Sequence, residues 1–204
     1  MVTSSDPRGF AVEIPGGFIG LPTREPTHQD LSDVARGLED TFQTEHGDQS
    51  ASEMAYWFSL IGQLAGAGGM EFAAIGFFHS PDDLARPVYM LVSGKRVLAQ
   101  FARPEEGLVY LQEYFDQQGV SRTEKVQLSV GEALVVITEQ PAEFPVNGNE
   151  TSTVLQYDMT AWIPDPGCTT IGVVSVSTSS WKDWNYVYEF ALGLFDSAVW
   201  EPVD

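Results

Sequence analysis

Apolar residues along the chain repeat every second position in some stretches and every third or fourth in others, and the order of these patterns outlines the fold. Phe10, Val12 and Ile14, at period two, predict a first strand that Pro15-Gly16-Gly17 closes. From Thr27 to about Thr44, Leu31, Val34, Leu38 and Phe42 recur at helical spacing, and Thr27 with Asp30 resembles a capping box. A second helix is predicted from Ser50, three residues before Glu53. Met54, Trp57, Ile61 and Leu64 share one face of it, and Ser52, Tyr56, Ser59 and Gln63 the other. Gly66, Gly68 and Gly69 are expected to stop it.

Two largely apolar segments follow, Phe72–Phe78 and Val88–Val92, as expected of strands buried on both faces. Pro104, with Glu105 and Glu106 behind it, opens a third helix carrying Leu108, Leu111 and Phe115 inward, and Gly119 ends it. Strands are then predicted over Glu124–Leu128, Ala133–Thr138, Thr153–Ile163 and Thr169–Thr178, with turns at Val130-Gly131 and Pro166-Gly167. Helices separated by runs of strands predict an α+β fold, an antiparallel sheet with helices packed on it, in one domain over residues 1–204.

The last helix, from Ser180 to about Phe195, has more apolar surface than docking requires. Trp181, Trp184, Tyr188, Ala191, Leu192 and Phe195 fall on one side at 100° per residue. Tyr186, Phe190 and Leu194, four apart, fall roughly opposite. A helix that is apolar nearly all round is covered by something. The cover is either another element of the chain, such as Phe18-Ile19-Gly20-Leu21, or a partner or second copy, since aromatic residues are enriched at interfaces. Tyr186, Phe190 and Leu194 are therefore the candidate partner-binding residues.

Composition narrows the choice of partner. The 204 residues carry 29 acidic and 10 basic side chains, a net charge of −19, which divides as −7 over residues 1–102 and −12 over 103–204. Neither half offers the basic patch that phosphate backbones or anionic membranes demand, so nucleic acid and membrane are not expected partners. No run approaches the roughly 18 apolar residues of a membrane span. Met1-Val2-Thr3-Ser4-Ser5-Asp6-Pro7 lacks the basic start and apolar stretch of a secretory signal, and Cys168 is the single cysteine, so a cytoplasmic protein without disulfides is expected.

Catalytic signatures are missing. His28, His46 and His79 are far apart in sequence, each expected in a loop or at a helix start, and form no metal-ligand spacing. Cys168 has no histidine near it in sequence to activate it. There is no G-x-S-x-G elbow and no phosphate loop. Gly66-Ala67-Gly68-Gly69 follows a helix instead of opening one. Asn149-Glu150-Thr151 matches a glycosylation sequon, which matters only in a secreted chain. No catalytic residue, metal or cofactor is expected.

Ile14-Pro15-Gly16-Gly17-Phe18 through Leu21-Pro22, Val126-Gln127-Leu128 with Gly131-Glu132-Ala133, and Phe190 through Trp200 resemble the opening strand, central hairpin and closing helix of the PsbP-like superfamily. The resemblance implies a central antiparallel sheet flanked by helices in an α/β/α sandwich. It also implies a binding or assembly role, since the known branches are mainly accessory proteins and one bacterial branch acts as chaperones for secretion effectors. No family binding residue carries over to a position here. The expected function is a non-enzymatic protein-binding module, an adaptor or secretion-associated chaperone. A domain holding a small apolar ligand among Trp57, Phe115, Tyr157 and Trp162 stands as the alternative, and an enzyme with an unfamiliar site around His79 and Cys168 as a third reading.

Overall fold

Local signals set most element ends in the computed structural model, which describes residues 9–42, 49–120, 122–147 and 150–201. The elements run β1 (Gly9–Ala11), β2 (Phe18–Leu21), α1 (His28–Phe42), α2 (Gln49–Ala67), β3 (Phe72–His79), β4 (Pro87–Leu98), α3 (Pro104–Gln117), β5 (Arg122–Leu128), β6 (Gly131–Asn147), β7 (Glu150–Pro164), β8 (Thr170–Thr178), α4 (Trp184–Asp196) and β9 (Val199–Glu201). The class is α+β, with antiparallel strand pairs flanked by helices. The chain forms two compact units, residues 14–95 and residues 1–13 with 96–204.

In residues 14–95, β2 pairs with β3 and β3 with β4. Thr27 opens α1 with a full capping box. Its backbone N–H donates to Asp30 Oδ2 at 2.8 Å, and the Asp30 N–H donates to Thr27 Oγ1 at 3.2 Å. The Thr27 N–H, and the Thr27 hydroxyl that also donates to Asp30 Oδ2 at 2.8 Å, hold the Asp30 carboxyl below the usual carboxylate range. Val34 and Leu38 of α1 and Ala55 of α2 pack on Ile19, Leu21, Ala73 and Ile75 of the sheet. Gly69, with φ of +83°, ends α2, and the Met70 N–H donates back to the Ala65 carbonyl. Gly66 lies inside the helix instead of stopping it.

In the other unit β5, β6, β7 and β8 form an antiparallel sheet. Side chains alternate across it. Leu134, Val136, Trp162, Ile171 and Val173 meet Leu108, Leu111 and Phe115 of α3 on one face. On the opposite face Tyr157 stacks on Trp184 of α4 at 5.4 Å, and Tyr188 of α4 donates to Glu124 of β5. The β1–β9 ribbon lies on that face too, where the Phe10 ring occupies the space a side chain at Gly172 would need. This unit has the helix–sheet–helix layering expected of the fold.

Strand β6 runs past its expected end at Thr138, through Pro141 and Pro145 to Asn147. Its pairing with β5 stops at Ile137, and among the described residues no strand pairs with it on that side beyond this point, the kind of position where a strand tolerates proline. Ser180 makes no side-chain cap. A single 3₁₀ turn, Trp181–Asp183, precedes α4 instead. No helix among the described residues is long and apolar enough to cross a membrane. His46 and Asn149 lie outside the described residues.

Candidate functional site

Helix α4 docks with part of the expected side, Ala191 and Phe195, turned toward the second stripe so that Val187 and Leu194 are buried as well. Val187, Ala191, Leu194 and Phe195 are its buried residues, a stripe lying between the two expected ones. Leu194 is 3% exposed within the chain itself and is therefore core, which corrects its assignment to a partner surface. Tyr186 is 41% exposed and Phe190 half-buried, so of the three candidates these two reach the surface. Trp184 and Tyr188, expected at the centre of the docking face, sit at its rim. Their polar ends favour this, and Tyr188 keeps its hydroxyl on Glu124 Oε2 at 2.7 Å. Phe18–Leu21, the expected cover, is strand β2, and its Ile19 and Leu21 pack under α1 and α2.

The larger exposed apolar surface is on α2. This helix buries Ala51, Ala55, Ser59 and Gly62, one stripe of small residues at helical spacing. The stripe lies on backbone. A Cβ at Gly62 would stand 3.0 Å from the Leu21 Cβ, and one at Gly66 would overlap the Thr23 carbonyl. No large side chain fits there, so Trp57, Ile61 and Leu64 point outward, with Trp57 65% and Leu64 73% exposed. Tyr56, also exposed, meets the Trp57 ring edge-on at 6.0 Å. From Met54 to Ala67 there is no charged residue.

Tyr56 also lines an open cleft of about 540 Å³ between α1 and α2, with Leu31, Ala35 and Ala55 as apolar lining and Arg36 and Glu39 among its polar residues. Arg36 donates to Asp33 at 3.0 Å. The outward face of α2 and this cleft are thus continuous through Tyr56. The sequence carried a signal for this site: alanine, serine and glycine at 51, 55, 59, 62 and 66 mark a close-packing side, which forces the bulky side outward.

The four aromatic residues expected around a ligand do not line one pocket. Trp162 stacks on Phe115 at 5.5 Å on the α3 face of β7, and Tyr157 lies on the opposite face against Trp184. Trp57 is on the outside of α2. The reactive groups are similarly unhelpful to catalysis. His79 ends β3 and is exposed there, not in a loop, and His28 is exposed at the start of α1. Cys168 sits in a turn at φ of +59°, and burial with the charges of Asp165, Glu105 and Glu106 pushes its thiol up. Such a thiol stays protonated at neutral pH and is a poor nucleophile. Asp158 accepts from Ser177 Oγ, from Gln156 at 3.0 Å and from Gln140 at 3.1 Å. These bonds engage both oxygens of the carboxylate. Among the described residues no three or more His, Cys, Asp or Glu side chains are placed to hold a metal ion. No protein-family model matches the chain, and no curated protein matches it.

Proposed function

We propose that this protein is a non-enzymatic protein-binding module, adaptor- or chaperone-like, whose docking surface is the outward face of α2 with the cleft beside it. The observation that carries the reading is the exposure of Trp57 and Leu64 on one helical face that has no charge from Met54 to Ala67. Covering either side chain stabilises a complex by about 1.5–3 kcal/mol. A groove between two helices that opens onto aromatic residues suits an apolar helix of a partner. The likeness of Ile14–Leu21, Val126–Ala133 and Phe190–Trp200 to PsbP-like proteins supports an accessory role of this kind. The net charge of −19 keeps such a surface soluble and favours basic or neutral partners.

A photo-cross-linking amino acid at position 57, in the full chain added to lysate of its native cells, tests the reading. A discrete adduct is expected at position 57 and not at position 113, an exposed glutamate of α3, and Leu64→Asp is expected to abolish it. The same adducts from both positions, or adducts indifferent to Leu64→Asp, would sink the assignment of this face.

A further inference from the structure

Gly172 stands inside β8 between the buried Ile171 and Val173, where a strand ordinarily carries a side chain. The Phe10 ring fills that gap, since a Cβ at Gly172 would overlap its Cε2 and Cζ. Glycine weakens a strand interior, and it marks a place where another group approaches the backbone closely. Trp200 meets the same ring, with 4.7 Å between centroids. The strand that delivers the ring is weakly held. β1 is three residues long and, among the described residues, pairs only with the equally short β9, outside the larger sheet. A lone two-stranded ribbon is marginal by itself. One further bond ties it down, from the Glu13 N–H to Ser197 Oγ at 3.0 Å. Closing the ribbon leaves Trp200 Nε1 buried without a hydrogen-bond partner, a cost that opening to water removes.

We propose that β1 is a detachable strap whose Phe10 ring occludes a docking notch over Gly172, and that a partner protein takes the notch with an extended segment carrying a phenylalanine of its own. The chemistry of the occupant is read from the ring already there. The notch admits a planar apolar ring because Gly172 has no side chain. Gly9 and Ala11 flank Phe10 in the strand, face the other way and specify little. The incoming backbone takes the place of β1 beside β9. The strap competes as an intramolecular ligand, so a partner's apparent affinity is reduced to the extent that the notch stays closed. A second copy could offer its own Gly9–Ala11, but only by joining two chains of charge −19.

The test titrates the ¹⁵N-labelled full chain and its Phe10→Ala variant with a blocked peptide of residues 9–13, Gly-Phe-Ala-Val-Glu, and with the same peptide carrying alanine in place of phenylalanine. Phe10→Ala is expected to bind the phenylalanine peptide at least about tenfold more tightly than the parent chain does. Binding is expected to move the Trp200 indole N–H resonance, identified by its loss in Trp200→Phe. The alanine peptide is expected to bind neither chain. Adding Gly172→Ala to Phe10→Ala puts a methyl group where the ring lay, so the double variant is expected to fold and to lose the peptide. Trp57→Ala is expected to leave binding as it was. In the parent chain, amides of the β1–β9 ladder are expected to exchange at least about tenfold faster than those between β7 and β8. Equal protection of the two ladders, equal affinity of parent and Phe10→Ala, or binding that survives Gly172→Ala would overturn the proposal. A doubled mass of the parent chain by light scattering, abolished by Phe10→Ala, would overturn it in favour of a second copy.

Discussion

Gly66 of α2 lies against Thr23 so closely that a methyl group on its Cα would overlap the Thr23 carbonyl oxygen. Gly193, in the last turn of α4 as Gly66 is in the last turn of α2, has nothing within 4 Å of the same point and is exposed. One substitution therefore has opposite signs at two helical glycines. Gly193→Ala is expected to stabilise by about 0.5–1 kcal/mol, the helix-propensity difference. Gly66→Ala gains the same propensity but must move backbone, a cost of about 1–3 kcal/mol or more, so a net loss is expected. Urea denaturation of both variants checks this, and a stabilised Gly66→Ala would mean that α2 does not rest on Pro22-Thr23.

What could be read from the sequence follows from how local each cause is. The Thr27–Asp30 box was legible because its bonds span three residues. So were the alternating β7 and the Gly119 stop, which has φ of +74°. Which face of a helix docks is not local. On α2 the choice was made by the carbonyls of Pro22 and Thr23, which admit only small residues, so Trp57 and Leu64 went outward although they look like core in the pattern. On α4 the buried stripe centres on Val187 and Ala191, small beside the aromatic rows on either side of it. The pattern grouped Met54, Trp57, Ile61 and Leu64 on one face of α2 without deciding which side docks. The seating of Phe10 on Gly172 was not visible at all, because it joins residues far apart in the sequence.

Leu194 and Leu64 separate core from surface experimentally. Leu194 is 3% exposed and Leu64 73%. Leu194→Ala is expected to cost about 2–5 kcal/mol through lost burial and the cavity left behind. Leu64→Ala is expected to change stability by no more than about 0.5 kcal/mol, as surface substitutions usually do. Thermal and urea unfolding of the two variants give the comparison. A large loss at Leu64 would show the α2 face to be covered in the free protein and would remove the docking surface.

Tyr188 and Glu124 make stability depend on pH at the alkaline end. The Tyr188 hydroxyl donates to Glu124 Oε2 at 2.7 Å, and the Arg122 guanidinium stands 5.9 Å from the centre of its ring. The bond to Glu124 pushes the phenol above its ordinary value of 10, burial and the Glu124 charge add to this, and Arg122 opposes it. The folded phenol thus holds its proton where the unfolded one has begun to lose it. The stability this contributes is fully present below about pH 10 and is lost as pH rises through the folded value. Tyr188→Phe is expected to cost about 1 kcal/mol at neutral pH, the net worth of a typical hydrogen bond, and to flatten the alkaline loss. Glu124→Gln keeps an acceptor but removes the charge, so it should retain more of the neutral-pH stability than Tyr188→Phe. Urea midpoints at pH 8 and at about pH 11 decide the matter. If Tyr188→Phe loses as much between those two conditions as the parent chain, the hydroxyl is not held by Glu124 in the folded protein.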